Sequence, residues 1–257
     1  MSIESPADWD GLREAGRIVR LTLDALERHV RPGITTAELD AVAHDVFTAH
    51  GARSAPALVY GFPGTVLISL NDEVVHGVPG PRRVRRGDLV KLDVTVEKDA
   101  YVADAARTVV VEPASRAARR LAECAQAAFQ AALAIACAGA RVNEIGRAVQ
   151  LEVRRHGFAV VRGLTGHGVG RTIHESPTVP NEYDPALSAV LTEGLVLTIE
   201  PMISAGSSVP RSGADGWTIR TRDGSWSAHH EHTIAITRAA PVILTAPWTA
   251  GRSGIAS

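Results

Sequence analysis

The chain has 257 residues, of which 45% are hydrophobic and 21% charged, and its formal net charge is −1. This composition excludes collagen-like and disordered proteins, and the near-neutral charge excludes binding to DNA or to an anionic membrane through bulk charge. The acidic N-terminal segment lacks the features of a signal peptide, and no apolar run is long enough to span a bilayer. Cys124 and Cys137 are too few for a secreted disulfide scaffold. We therefore expect a cytoplasmic protein.

Two helices are predicted first, followed by a block of strands. Apolar residues recur at steps of three and four over residues 12–30, which predicts an amphipathic helix that ends before Gly33. A capping-box pattern that begins at Thr35 predicts a second helix, up to residue 51. The predicted strands cover residues 66–70, 89–96 and 101–111.

This pattern then returns later in the chain. When the first region is shifted by 106 residues, Gly33 falls on Gly139 without a gap, and a long helix predicted over residues 115–138 mirrors the first helix. At a shift of 107, the segment 87–93 matches the segment 194–200, and both are apolar strands that end on a carboxylate. An internal duplication of this period predicts two similar α+β halves that share one sheet.

No linker rich in proline or serine separates these halves. We therefore expect one domain over residues 1–245, with its halves at about 12–111 and 115–236. The remaining residues, 246–257, are small and polar and are expected to form a C-terminal tail.

The first candidate functional residues are a pair of carboxylates. Asp93 lies inside an apolar strand, where aspartate is uncommon. A four-residue loop over 97–100 would place it directly opposite Asp104 on the next strand. Like charges at this distance need a proton or a cation between them. The alternative is an exposed edge hairpin in which water hydrates both carboxylates.

Further metal-ligand types lie near the ends of other predicted strands. Glu200 occupies the position equivalent to Asp93 in the second half, Glu231 follows a third strand-like run, and His167 lies between glycines. Alone, each would be explained by solvation or by a turn. Together with Asp93 and Asp104 they supply four negative charges, which balance two divalent ions, and oxygen-rich ligands with one histidine suit Mn, Fe, Co or Zn.

Six short motifs occur in a defined order. They are Asn71-Asp-Glu-Val-Val-His76-Gly-Val-Pro, Leu92-Asp93-Val-Thr-Val, Ala103-Asp104-Ala-Ala-Arg107-Thr108, Gly166-His167-Gly-Val-Gly-Arg-Thr-Ile-His174-Glu, Thr198-Ile-Glu200-Pro-Met and Glu231-His-Thr. From about Leu12 to Ile236 the chain resembles type I methionine aminopeptidases, a group of pita-bread (creatinase-like) metallopeptidases. The resemblance implies an α+β, pseudo-two-fold duplicated fold with a central curved antiparallel sheet and helices on its outer face.

The resemblance also implies roles for the candidate ligands. Asp93 would hold the first of two divalent ions, and Asp104 and Glu231 would bridge both. His167 and Glu200 would complete the second metal site. Glu200 would also act as the general base for a water activated by the two ions.

The same resemblance implies a substrate site. His76 and His174 stand at the positions of two histidines that contact the scissile amide, which makes them both catalytic and substrate-binding candidates. Phe62, Ile173 and Trp217, together with His76, would line an apolar pocket for the methionine side chain.

The pocket departs from the usual pattern at two positions. Ile173 and Val59 stand where aromatic residues are common in the family. Fewer rings predict a looser pocket and a less strict selectivity for methionine.

These features predict an aminopeptidase that removes the initiator methionine from the N-termini of nascent polypeptides and prefers a small second residue. A monomer is expected. The basic run over 82–86 predicts a solvated turn, with a transient contact to the ribosome as the alternative.

Two other functions remain open from the sequence. One is a proline-directed (Xaa-Pro) peptidase of the same fold, although such enzymes usually carry an N-terminal domain for which the chain before Leu12 has no room. The other is a non-catalytic pita-bread binding protein, although such relatives usually lack some of the ligands that this chain retains.

Overall fold

The computed structural model describes residues 1–247, so the predicted tail beyond residue 247 lies outside the described residues. The helices are α1 (Pro6–His29), α2 (Thr36–Ala49), α3 (Ala55–Tyr60), α4 (Arg116–Leu133) and α5 (Val142–Arg155). The strands are β1 (Arg53–Ser54), β2 (Leu67–Leu70), β3 (Glu73–Val75), β4 (Leu89–Lys98), β5 (Tyr101–Val110), β6 (Ala159–Val160), β7 (Gly166–Gly168), β8 (Glu175–Val179), β9 (Val196–Ile199), β10 (Met202–Ser204), β11 (Pro210–Ser212), β12 (Ile219–Thr221), β13 (Ser227–His229), β14 (His232–Ala235) and β15 (Val242–Ile243).

The first two helices form where the sequence predicts them. Helix α1 begins earlier than expected because the Ser5 hydroxyl accepts a hydrogen bond from the Asp8 N–H. The capping box of α2 is confirmed, since the Thr35 hydroxyl accepts from the Glu38 N–H and the Glu38 carboxylate accepts from the Thr35 N–H at 2.7 Å.

The predicted duplication is visible in the helices. Both ends of α5 lie 106 residues after the corresponding ends of α2. The chain before each of these helices turns at a glycine with a left-handed backbone, with φ of 94° at Gly33 and 92° at Gly139. The predicted helix over 115–138 is shorter, because the chain leaves α4 after Leu133 and the Ala138 N–H pairs with the Thr237 carbonyl.

The strands pair antiparallel throughout residues 1–247. In the first half, β4 pairs with β1, β2 and β5, and in the second half the order is β15-β14-β9-β7-β8. Helices α1 and α2 bury a core against the first sheet, and α4 and α5 bury another against the second half. The expected α+β class with antiparallel sheets is confirmed. Within the described range, no helix combines the length and the apolarity that a membrane span requires.

The predicted register of the β4–β5 hairpin is wrong by two residues. Lys98 pairs with Tyr101, so the turn contains two residues, Asp99 and Ala100, with φ of 50° and 63°. Such positive φ angles at both central residues define a tight primed hairpin turn. Asp104 therefore lies opposite Thr95, while Asp93 lies opposite Ala106. The shift is even, so both aspartates stay on the same face as diagonal neighbours.

Candidate metal centre and substrate pocket

One cavity of about 870 Å³ receives side chains from both halves of the fold. Every residue that the sequence analysis selected for metal binding, catalysis or substrate binding lines it. These residues are Phe62, His76, Asp93, Asp104, His167, Ile173, His174, Glu200, Trp217 and Glu231.

Four of these residues are buried carboxylates, with exposed fractions of 8% for Asp93, 6% for Asp104, 7% for Glu200 and 2% for Glu231. Burial raises the pKa of Asp93, Glu200 and Glu231 well above the ordinary value, and the neighbouring carboxylates raise each pKa further. Burial also raises the pKa of Asp104 to about 6, against hydrogen bonds from Thr95, Asp93 and the Ala105 backbone that lower it. Within residues 1–247 the ion-pair partners of these carboxylates are the histidines His167 and His229, whose pKa values burial lowers to about 4 and about 3, so no cationic side chain in this range neutralises the cluster.

The cluster fits divalent cations. Asp104 Oδ1 and Glu231 Oε1 are buried without a hydrogen-bond partner among the described residues. Two groups of side chains each bring one ligand atom per residue within 4.8 Å of the others: Asp104, His167 and Glu231 form one, and Asp93, His229 and Glu231 form the other. Oxygen donors with imidazole suit Mn, Fe, Co or Zn.

His167 is oriented as a ligand. Its Nδ1 lies 2.9 Å from the Gly168 carbonyl and donates to it, which leaves Nε2 as the unprotonated nitrogen, 3.4 Å from Glu200 Oε1. Burial lowers the pKa of His167 to about 4, so the ring is neutral at neutral pH. A neutral imidazole with a free lone pair is the form that binds metals.

Sequence reasoning missed Thr198, which is fully buried behind these ligands. Its hydroxyl donates to Glu200 Oε1 at 2.8 Å and accepts from the His167 N–H at 3.1 Å. The signal was present, because Thr198 and Glu200 are two residues apart at the end of one strand and therefore face the same side.

Two histidines stand at the mouth of the cavity. His174 and His76 are both exposed, and the His174 ring lies 4.2 Å, centre to centre, from the His167 ring. The Tyr60 hydroxyl is 2.5 Å from His174 Nδ1. Glu175 does not pair with its neighbour His174, since its carboxylate accepts the backbone N–H groups of Arg171 and Thr172.

The apolar part of the cavity contains the predicted pocket residues. Phe62 and Trp217 pack edge to face with ring centres 5.3 Å apart, and Ile173 is buried beside the site. Val59 does not line the cavity and is 55% exposed, whereas the adjacent Tyr60 does line it. The aromatic ring that position 59 lacks is thus supplied by Tyr60, which the sequence analysis missed.

The basic run over 82–86 is only partly solvated. Arg82 pairs with the buried Glu73, which also accepts from Arg220 at 2.6 Å, and Arg83 donates to the Gly33 carbonyl. Arg85 and Arg86 are exposed.

A family model for metallopeptidase family M24 matches residues 10–238. The chain belongs to metallopeptidase family M24. It is 42% identical to methionine aminopeptidase 2 of Bacillus subtilis over 247 residues, which covers 95% of this chain and 99% of that protein. It is also 42% identical to a methionine aminopeptidase of Clostridium perfringens over 243 residues, which covers 95% of this chain and 98% of that protein.

Solved structures of other proteins have the same fold. A methionine aminopeptidase structure from Rickettsia prowazekii superposes with a TM-score of 0.91 at 37% identity, over 96% of this chain and all of that one. A prolidase from Pyrococcus furiosus reaches 0.77 at 24% identity, and the match covers 66% of that longer chain. The first similarity confirms the predicted duplicated pita-bread architecture and the resemblance to methionine aminopeptidases, and the second concerns the fold alone.

Proposed function

We propose that this protein is a metal-dependent aminopeptidase that removes the initiator methionine from the N-termini of nascent polypeptides and prefers a small second residue. The observation that carries the proposal is the convergence of four buried carboxylates and a neutral histidine on one cavity, next to an aromatic pocket. The relatives described above are methionine aminopeptidases that align with this chain over almost their whole length. They support the choice of substrate.

Two divalent ions are the proposed cofactor, with Co, Mn, Fe or Zn as the candidates. Asp93 is the proposed ligand of one ion, and Asp104 and Glu231 would bridge both. His167 and Glu200 would complete the other site. When bound, such a pair supplies a nucleophile at neutral pH and polarises the scissile carbonyl.

The remaining steps belong to side chains of this chain. Glu200 is the proposed general base, which takes the proton of the nucleophile and delivers it to the leaving amine. The Thr198 hydroxyl donates to one Glu200 oxygen at 2.8 Å and so restrains the orientation of the carboxylate. His76 and His174, exposed at the mouth, would donate hydrogen bonds to the scissile amide and to the developing oxyanion.

Selectivity for methionine is assigned to the aromatic part of the cavity. Phe62 and Trp217 offer ring edges and faces to a thioether, and Ile173 closes the pocket with an aliphatic surface. Tyr60 contributes a further ring and fixes His174 through its hydroxyl. We therefore propose a stricter selectivity for methionine than Val59 and Ile173 indicate by themselves.

The function is tested by hydrolysis of Met-Ala-Ser after chelation and after reloading with Co²⁺ or Mn²⁺. We expect activity only with metal, and its loss in Glu200→Gln while the exposed control Glu123→Gln remains active. Preferential cleavage of Ala-Pro would identify a proline-directed peptidase. A folded wild-type protein that binds no metal and cleaves neither peptide would be a binding module.

Further expectations belong to the same proposal. Residues 1–245 act as one catalytic domain, and the protein is a cytoplasmic monomer that uses neither DNA nor a membrane as partner. A transient ribosome contact would involve Arg85 and Arg86, because the guanidinium groups of Arg82 and Arg83 already bind Glu73 and the Gly33 carbonyl. Co-sedimentation with ribosomes that is unchanged by Arg85→Ser/Arg86→Ser would exclude this contact.

A further inference from the structure

His229 is a buried histidine that the proposed reaction does not use. It ends β13 and is 1% exposed. Its backbone is fixed by Thr108, whose hydroxyl accepts from the His229 N–H at 2.9 Å and donates to the His229 carbonyl at 2.7 Å. Neither ring nitrogen has a hydrogen-bond partner among the described residues. A buried imidazole with both nitrogens unpaired is destabilising, which indicates that a partner is missing.

The ring lies against the carboxylate cluster. His229 Nε2 is 3.8 Å from Glu200 Oε2 and 3.8 Å from Glu231 Oε2. These separations are too long for hydrogen bonds. Two ligand atoms that each lie about 2.1 Å from one ion are at most about 4.2 Å apart. The observed separations of 3.8 Å are therefore compatible with a shared metal ion. One ligand atom each from Asp93, His229 and Glu231 also lies within 4.8 Å of the others.

We propose that His229 is an additional metal ligand, through Nε2, of the ion held by Asp93 and Glu231. The centre then has two imidazole ligands, His167 on one ion and His229 on the other. The inference rests on the proposed dinuclear centre and extends it by one ligand. An added nitrogen donor favours Co, Fe and Zn over Mn at that ion.

The neighbouring His230 provides a matched control. His230 is adjacent in sequence, but its ring packs edge-on against Phe129, 5.3 Å away centre to centre, and it belongs to neither candidate ligand group. His229→Leu removes the donor atoms and keeps an apolar group of similar size. His230→Leu makes the same chemical change outside the ligand groups.

The first experiment is calorimetric titration of the chelated full chain with Co²⁺ and with Mn²⁺. We expect His229→Leu to weaken one of two Co²⁺ sites by at least about 10-fold, because loss of a group that only supports a metal ligand already costs about 10- to 100-fold. The preference for Co²⁺ over Mn²⁺ at that site should fall as well. His230→Leu should keep both affinities within about twofold of the wild type. Equal affinities in His229→Leu and the wild type would overturn the assignment.

The second experiment needs no variant and so does not depend on the folding of His229→Leu. In the Co²⁺-loaded wild type, each metal-bound imidazole gives a ring N–H proton resonance with a contact shift, and we expect two of them. A single such resonance would overturn the His229 assignment and leave the proposed dinuclear centre standing. Failure of the wild type to bind Co²⁺ would overturn both.

Discussion

Replacing a buried ligand carboxylate should stabilise the metal-free protein. Asp104 is 6% exposed and lies among three other buried carboxylates, and its pKa is raised from 3.8 to about 6, chiefly by burial. In Asp104→Asn the charge is removed, and the amide keeps an acceptor for Thr95 while it gains a donor toward the neighbouring carboxylates. We therefore expect Asp104→Asn to unfold at higher urea concentration than the wild type when metal is chelated at pH 7.5.

The size of this effect follows from linkage. Below about pH 4 the carboxyl is protonated in both the folded and the unfolded protein, so it has no effect on stability. Between about pH 4 and 6 the unfolded state releases the proton first, and the free energy of unfolding falls as the pH rises. A pKa raised by roughly two units corresponds to about 3 kcal/mol lost above pH 6. Asp104→Asn should recover up to this amount at pH 7.5 and little at pH 4.

Urea denaturation followed by circular dichroism, with chelator and at both pH values, measures this difference. Asp45→Asn, which changes an exposed aspartate on α2, is the control and should alter the free energy of unfolding by less than about 0.5 kcal/mol. Saturating Co²⁺ should reverse the order, because the wild type binds the ion more tightly than the variant. An Asp104→Asn protein less stable than the wild type in chelator at pH 7.5 would refute the electrostatic reasoning.

Three further variants test the site and the core. Thr198→Val removes the hydrogen bond to Glu200, so Co²⁺ affinity measured by calorimetry should fall about 10- to 100-fold, and an unchanged affinity would contradict this role. Tyr60→Phe keeps the ring but loses the hydrogen bond to His174, so kcat/KM for Met-Ala-Ser should fall roughly fivefold. A value equal to that of the wild type would show that this hydrogen bond does not contribute to catalysis. Phe129→Ala should lower the free energy of unfolding, measured with urea, by about 3–5 kcal/mol, since Phe129 is fully buried. A loss below about 1 kcal/mol would mean that the surrounding side chains repack to fill the cavity.

The composition of the site was predictable because strand periodicity is robust. Asp93 and Asp104 were expected on one face, and a register error of two residues left them there. The error arose in the turn. Its second residue, Ala100, adopts a φ of 63°, a conformation that alanine rarely takes and that no local sequence pattern indicates.

Features set by tertiary packing were not predictable from the sequence. Tyr60 reaches the cavity because it ends α3, a short helix that the sequence analysis did not identify. His229 stands two residues before Glu231, a spacing that suggests a shared face. Its missing hydrogen-bond partners, however, become visible only once the surrounding residues are in place.

The proposed ligands are divided between the two halves of the duplication. Asp93 and Asp104 come from β4 and β5, whereas His167, Glu200 and Glu231 come from the second half. On this assignment, an isolated half has too few ligand atoms to hold two metal ions. Catalytic competence then arises only after both halves have docked, so a copy that lacks either half is proteolytically inert and cannot attack other chains.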